Sequence, residues 1–104
     1  MRKVIGGKVY DSETAEEVGS YDNLLGTRDF NHYNETLYKT KNGRYFLCGS
    51  GGAASHYAKQ CGSNTTCGGS RLIPHSEEDA LRWCENNNVA VEKIETHFGK
   101  QEEA

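Results

Sequence analysis

Short alternations of apolar and polar residues fill the first half of the chain and predict antiparallel strands. Val4-Ile5 and the segment 8–10 flank Gly6-Gly7, and segments 35–40 and 44–47 flank Lys41-Asn42-Gly43. Paired glycines and Asn-Gly favour tight hairpin turns because these residues readily adopt positive φ. We therefore predict two hairpins, with a further strand at 17–21 and an irregular loop over 22–34 between them.

The pattern changes after Cys48. The glycine-rich run 49–52 is typical of a break that ends a strand. Ala54, Tyr57, Ala58 and Cys61 then recur at i, i+3, i+4 and i+7, which predicts a short amphipathic helix. The polar segment 62–70 that follows has no apolar means of holding itself in place, so we expect a loop that needs an external constraint.

The C-terminal third predicts one strand and two helices. Leu72-Ile73 is a strand candidate, and Ser76 with Asp79 gives a capping-box start for a helix that ends near Asn86. A last helix stops at Gly99. The apolar positions of the two helices are Ala80, Leu81, Trp83 and Cys84, followed by Val91, Ile94 and Phe98. The predicted fold class is α+β, a small antiparallel sheet packed with two to three short helices, in one domain over 1–99 with a frayed tail at 100–104.

Composition indicates a thin core and an intracellular protein. Only 35% of the 104 residues are hydrophobic, and a domain of this size buries about two-thirds of its unfolded surface. The N-terminal residues do not resemble a signal peptide, and no stretch approaches the roughly 20 apolar residues of a membrane span. We expect a cytoplasmic protein with no membrane partner.

The cytoplasm favours a metal site over disulfides for the four cysteines. Cys48 and Cys61 precede the polar loop and Cys67 lies within it, and zinc prefers tetrahedral thiolate and imidazole ligands. We predict a structural Zn²⁺ held by Cys48, His56, Cys61 and Cys67. The fourth ligand can also be His75 or Cys84, and the spacing is not that of a zinc finger.

Two other interpretations of the cysteines stay open. Free cysteines are often buried, so Cys61 and Cys84 fit core positions of their predicted helices, and a redox or disulfide role is the third possibility. A thiol enzyme would use Cys48 as nucleophile, His56 or His75 as base and the glycine run as an oxyanion cradle. No acid stands out to orient the histidine. We therefore expect no enzyme.

Charge is unevenly distributed along the chain. Residues 28–71 carry six basic and two acidic residues, whereas residues 77–104 carry eight acidic and three basic ones, within an overall charge of -3. Basic and aromatic residues in 28–71 are typical of nucleic-acid binding, which is the alternative function. The acidic overall charge argues against it. The uneven charge can steer a charged partner, although solvated helix faces produce the same pattern.

Three blocks, about two-thirds of the chain, resemble a family of small proteins encoded by phages and integrative elements of Firmicutes. The blocks are 35–40 with 45–47, 51–55 with Tyr57-Ala58, and Ile73-Pro74 with the helix 77–83 and Phe98-Gly99. Family members often carry other residues at the cysteine positions, so zinc would belong to this branch alone.

The resemblance implies a function as well. Some streptococcal phage proteins with this appearance are anti-CRISPR proteins that act on type II-A Cas9. It implies a phage-encoded protein of the bacterial host cell that binds and inhibits Cas9 stoichiometrically, as a monomer or weak dimer, with no direct contact to nucleic acid. On this expectation the acidic helices face basic surfaces of Cas9 through Glu77, Glu78, Asp79, Glu85, Glu92 and Glu95.

Overall fold

The computed structural model describes residues 1–26 and 28–103. These residues form eight strands and two helices. In chain order they are β1 (Arg2–Ile5), β2 (Lys8–Asp11), β3 (Glu16–Asp22), β4 (Tyr33–Lys39), β5 (Tyr45–Gly51), β6 (Lys59–Gly62), β7 (Thr65–Cys67), β8 (Gly69–His75), α1 (Glu77–Asn86) and α2 (Val91–Phe98).

A four-stranded antiparallel sheet in the order β3-β4-β5-β8 organises the fold. Leu47 on β5 is opposite Leu37 on β4 and Ile73 on β8. Because side chains alternate between the two faces of a strand, these three residues share one face. Phe46 and Cys48 therefore lie on the other face.

The two helices cover the face that carries Leu37 and Leu47. Ala80, Trp83 and Cys84 of α1 and Ile94 of α2 are buried against this face. The acidic residues at the start of α1 follow Ser76, whose hydroxyl accepts the backbone N–H of Asp79 at 3.1 Å. Because such a cap satisfies a free backbone donor, it fixes where α1 begins, as the capping-box pattern predicted.

The β1–β2 hairpin packs on the opposite face of the sheet. Tyr10 contacts Phe46 edge to face, with ring centroids 5.6 Å apart, and Tyr38 stacks on Phe46 at 5.2 Å. Leu72 completes this second, smaller cluster. The sheet is thus the middle layer between the helices and the N-terminal hairpin.

The α+β fold class and both predicted hairpins are confirmed. Gly6, Gly7 and Gly43 have positive φ at the turns where they were expected, and β3, β8 and both helices occur where their patterns placed them. The predicted loop 22–34 lies largely between β3 and β4, although Thr27 is outside the described residues. Residues 100–103 of the predicted tail belong to no strand or helix, and Ala104 also lies outside the described residues.

The prediction that the strand breaks directly after Cys48 was wrong. β5 continues through Gly51 and pairs with β4 and β8 along its length. A Cβ at Gly49 would lie 1.9 Å from Cζ of Tyr57, and one at Gly51 would lie 2.3 Å from Oγ of Ser55. The glycines therefore leave space above the sheet for the following segment, a known use of glycine inside strands.

The helix predicted over Ala54, Tyr57, Ala58 and Cys61 is also absent. Residues 53–57 form turns, and β6 and β7 form a separate two-stranded hairpin where a helix end and a loop were expected. Of the four apolar residues of the predicted stripe only Tyr57 is buried, while Ala54 and Cys61 are exposed. The contacts of Tyr57 with the sheet determine the conformation of this segment, and they outweigh its local preference for a helix.

Candidate functional site

One row of residues crosses the whole sheet on its helix-covered face. Tyr21 on β3 is opposite Glu35 on β4, Glu35 is opposite Gly49 on β5, and Gly49 is opposite Arg71 on β8. The missing side chain at Gly49 leaves a gap in the middle of this row. Tyr57 fills that gap.

Tyr57 is held between an acid and a base. Its hydroxyl donates a hydrogen bond to Oε2 of Glu35, and the guanidinium carbon of Arg71 lies 5.1 Å from its ring centroid. Arg71 also donates to the backbone carbonyl of His56 at 2.7 Å. Because each partner comes from a different strand, Tyr57 fixes the segment after β5 onto the sheet.

Glu35 collects hydrogen bonds from three parts of the chain. Nε1 of Trp83 on α1 donates to its Oε1 at 3.0 Å, and Nε2 of His56 lies 3.4 Å from its Oε2. Burial alone raises the pKa of Glu35, but the bonds from Tyr57, Trp83 and His56 together hold it below its ordinary value. Glu35 is therefore ionised at neutral pH and joins helix, sheet and loop.

This arrangement is suited to structural support. Both carboxylate oxygens of Glu35 already accept protein donors. Burial, together with the neighbouring Glu35 carboxylate, raises the pKa of the Tyr57 phenol far above its ordinary value, so the hydroxyl stays protonated as a donor. We call Glu35, His56, Tyr57, Arg71 and Trp83 the Glu35 network.

The structure separates the four predicted zinc ligands. Cys48 lies on the face with Phe46, in the cluster under the N-terminal hairpin, whereas His56 contacts Glu35 on the opposite face. Cys61 and Cys67 lie on the β6–β7 hairpin. As a set, the four do not fit one tetrahedral ion in this arrangement, because Cys48 and His56 are on different sides of the sheet. Within 1–26 and 28–103 no group of three or more Cys, His, Asp or Glu side chains could hold a metal.

The environments of the thiols differ. Burial raises the pKa of Cys48, and burial raises that of Cys84 to about 11. Cys84 is fully buried, in line with its interpretation as a core residue. Cys61 is exposed, and the nearby Cys67 thiol raises its pKa. These two thiols are the pair that the fold brings together.

The pieces of a thiol enzyme are not assembled. Cys48 is on the opposite sheet face from His56 and also from His75, which pairs with Tyr45. Residues 49–51 of the glycine run lie inside β5, and the next element of the chain is the strand β6 and not a helix. The nucleophile, base and oxyanion cradle considered from the sequence therefore do not meet in the described part of the chain.

The six acidic residues predicted to bind a partner lie on one helical layer. Glu77, Glu78, Asp79, Glu85 and Glu92 are exposed and Glu95 is half-buried; we call these six the acidic helical layer. Only Arg82 forms ion pairs with members of this layer in the described residues, at 3.1 Å from Glu78 and 3.3 Å from Asp79. Such solvated pairs contribute little, so most of the negative charge faces solvent.

The basic residues of segment 28–71 are dispersed. Lys41 and Arg44 lie at the β4–β5 turn, while Arg28 and Lys59 lie toward the other end of the sheet. Lys39 donates to the carbonyl of His97 at 2.7 Å and is used within the fold. The positive charge of this segment therefore does not form one patch.

Two surface cavities lie away from the Glu35 network. One of about 340 Å³ is lined by Arg2, Lys3, Val4 and Val9 on the N-terminal hairpin. The other, of about 180 Å³, lies where Ser20, Asn88 and Lys93 meet beside the start of α2. Neither cavity contains a cysteine or a member of the network.

None of the described helices is long and apolar enough to cross a bilayer.

The Glu35 network was not predicted from the sequence. A signal was available, because Glu35 and Leu37 are two residues apart on one strand and so share a face. A carboxylate on a core-facing strand position needs donors, and a buried Trp83 or Tyr57 needs an acceptor. The pairing itself depends on residues 22 and 48 positions away, which the sequence alone does not connect.

Comparisons of the chain with known protein families, curated proteins and solved structures gave no match.

Proposed function

We propose that this chain is a binding protein that inhibits type II-A Cas9 stoichiometrically, without turnover, by occupying a basic surface of the enzyme. The observation that carries the proposal is the acidic helical layer. Five of its six members are exposed and Glu95 is half-buried, while Ala80, Trp83 and Ile94 on the same helices are buried. These carboxylates form the negatively charged surface through which we expect the chain to bind its partner.

The chemistry of the partner follows from this charge. Residues 77–104 carry eight acidic residues against three basic ones. An acidic surface suits a basic partner, because complementary charge speeds and orients association. Proteins that hold nucleic acid have basic surfaces, and Cas9 holds its guide–target duplex in a positively charged channel.

The choice of Cas9 rests on the resemblance to phage and mobile-element proteins. It is supported by the three resemblance blocks, each of which supplies one residue of the Glu35 network: Glu35, Tyr57 and Trp83. The structural zinc ion expected from the sequence is a separate proposal, since inhibition through the helices does not require it.

The test is cleavage of target DNA by purified guide-loaded Cas9 from streptococcal hosts, with the full chain added in increasing molar ratio. We expect cleavage to stop near a one-to-one ratio and binding to weaken as salt is raised. A DNA-binding assay with the same chain in the absence of Cas9 is the control, and we expect little affinity. Undiminished cleavage across several orthologues at large excess contradicts the proposal.

A further inference from the structure

Two cysteine thiols meet on the β6–β7 hairpin. In this hairpin Lys59 is opposite Cys67 and Gln60 is opposite Thr66, with an irregularity before Gly62 where Cys61 is the extra residue. The Cys61 sulfur lies 4.0 Å from the carbonyl oxygen of Thr65, two residues before Cys67 on β7, and the nearby Cys67 thiol raises the pKa of Cys61. The two thiols are therefore close neighbours on one hairpin, and that of Cys61 faces solvent.

The hairpin that carries these thiols lacks a core of its own. Residues 59–66 are all exposed. Among the described side chains, the hydroxyl of Thr66 ties it to the rest of the chain by donating to the carbonyl of Ala53 at 2.9 Å. An isolated two-stranded hairpin is at best marginally stable in water. A covalent cross-link between its strands would therefore constrain a segment that little else holds.

The other two thiols are unsuited to the same chemistry. Cys84 is completely buried among the helix-side core residues, and Cys48 packs against the Phe46 cluster on the far face of the sheet. A disulfide requires Cβ atoms within about 3.5–4.5 Å. Cys61 and Cys67 share one short hairpin, so they are the candidate pair, and Cys61 is its exposed member.

We propose that Cys61 and Cys67 form a reversible dithiol–disulfide site that exchanges with low-molecular-weight disulfides such as oxidised glutathione. The Cys61 thiolate attacks one sulfur of the reagent, its S–S bond breaks, and the first glutathione leaves as thiolate. The Cys67 thiolate then attacks the Cys61 sulfur and releases the second glutathione. Two protein thiols are oxidised, one oxidised glutathione is reduced to two reduced molecules, and the two protons pass to the leaving thiolates.

The site is tested on the full reduced chain incubated with oxidised glutathione, then denatured, alkylated and analysed by intact mass and peptide mapping. We expect one internal disulfide joining the Cys61 and Cys67 peptides, with Cys48 and Cys84 recovered as alkylated thiols. Cys67→Ser should stop at a stable mixed disulfide on Cys61, because the resolving thiol is gone. Cys48→Ser is the matched control and should oxidise as the unmodified chain does.

Three results overturn the site. One is a mixed disulfide on Cys61 that persists in the unmodified chain as it does in Cys67→Ser, since it would show that the thiols do not meet. Another is pairing with Cys48 or Cys84, and the third is the absence of any oxidation. The same reaction with a strong metal chelator should proceed to the same extent, and none of these readouts depends on Cas9.

Discussion

Tyr57 lies directly above Gly49, so close that a Cβ on Gly49 would fall 1.9 Å from the Cζ atom of its ring. The contact places the segment after β5 on the sheet and brings the Tyr57 hydroxyl to Glu35. We predict that Gly49→Ala lowers the free energy of unfolding by about 2–3 kcal/mol, in the range of overpacked cores. Urea denaturation followed by tryptophan fluorescence measures it.

A matched control and a double variant define the cause. Gly26→Ala introduces the same methyl group where nothing lies within 4 Å, and it should leave stability within about 0.5 kcal/mol. In a Tyr57→Ala background Gly49→Ala should cost much less, because the ring that it displaces is absent. Additive effects of the two substitutions would show that Gly49 is required for some reason other than Tyr57.

The glycines of this chain serve two different purposes, and only one of them is visible in the local sequence. Hairpin turns at Gly6-Gly7 and Asn42-Gly43 were predictable because positive φ is a local requirement of the turn. Gly49 and Gly51 also look like turn residues, yet they are required by Tyr57 and Ser55 packing onto β5. That requirement is tertiary, so the local pattern predicted a strand end and a helix where the fold has a longer strand and a hairpin.

Glu35 provides a prediction on pH. Its pKa is below the ordinary value in the folded protein, so the unfolded chain binds more protons as acid is added. The stabilisation from Glu35 is therefore complete above its unfolded pKa, near 4.3, and is lost as pH falls through its folded pKa. We predict that Glu35→Gln costs about 1–3 kcal/mol at neutral pH, and that the difference shrinks in acid.

Unfolding by urea at neutral pH and near pH 3 measures this difference. Glu16→Gln on edge strand β3 is the control, because Glu16 is exposed, and it should change stability little at either pH. A Glu35→Gln cost that is the same at both pH values would mean that the carboxylate charge is not what stabilises the network.

Cys48 provides the sharpest test of the zinc prediction. In the structure it contacts the Phe46 cluster and is on the opposite face from His56. We predict that Cys48→Ser leaves the zinc content of the metal-replete protein equal to that of the unmodified chain. Element analysis of both proteins after gel filtration gives the ratio. A loss of metal specific to Cys48→Ser would show that Cys48 is a ligand and that the strands rearrange around it.

The exposed positions of the acidic residues were predictable from the sequence, whereas the arrangement of the cysteines was not. The acidic residues of α1 and α2 could be assigned to exposed positions from helical periodicity alone, because their buried neighbours recur at three- and four-residue intervals. The zinc set could not be assembled in this way. Cys48 and Cys61 are in different sheets. The face of a sheet on which a side chain lies depends on how the strands are paired, and the spacing of the cysteines along the chain gives no information on that pairing.

The acidic helical layer yields a prediction on binding that separates local charge from net charge. Replacing Glu85 and Glu92 with Gln removes two exposed carboxylates from the layer, while replacing Glu13 and Glu16 with Gln removes two exposed carboxylates from the N-terminal half. Both variants change the overall charge of -3 by the same amount. We expect the helix variant to weaken Cas9 binding about tenfold, which corresponds to about 1.4 kcal/mol. The control should bind nearly as the unmodified chain does.

Titration calorimetry at two salt concentrations distinguishes the two variants, since the salt dependence of binding should fall only for the helix variant. Equal weakening of both variants would assign the effect to net charge and remove the helices as the contact surface.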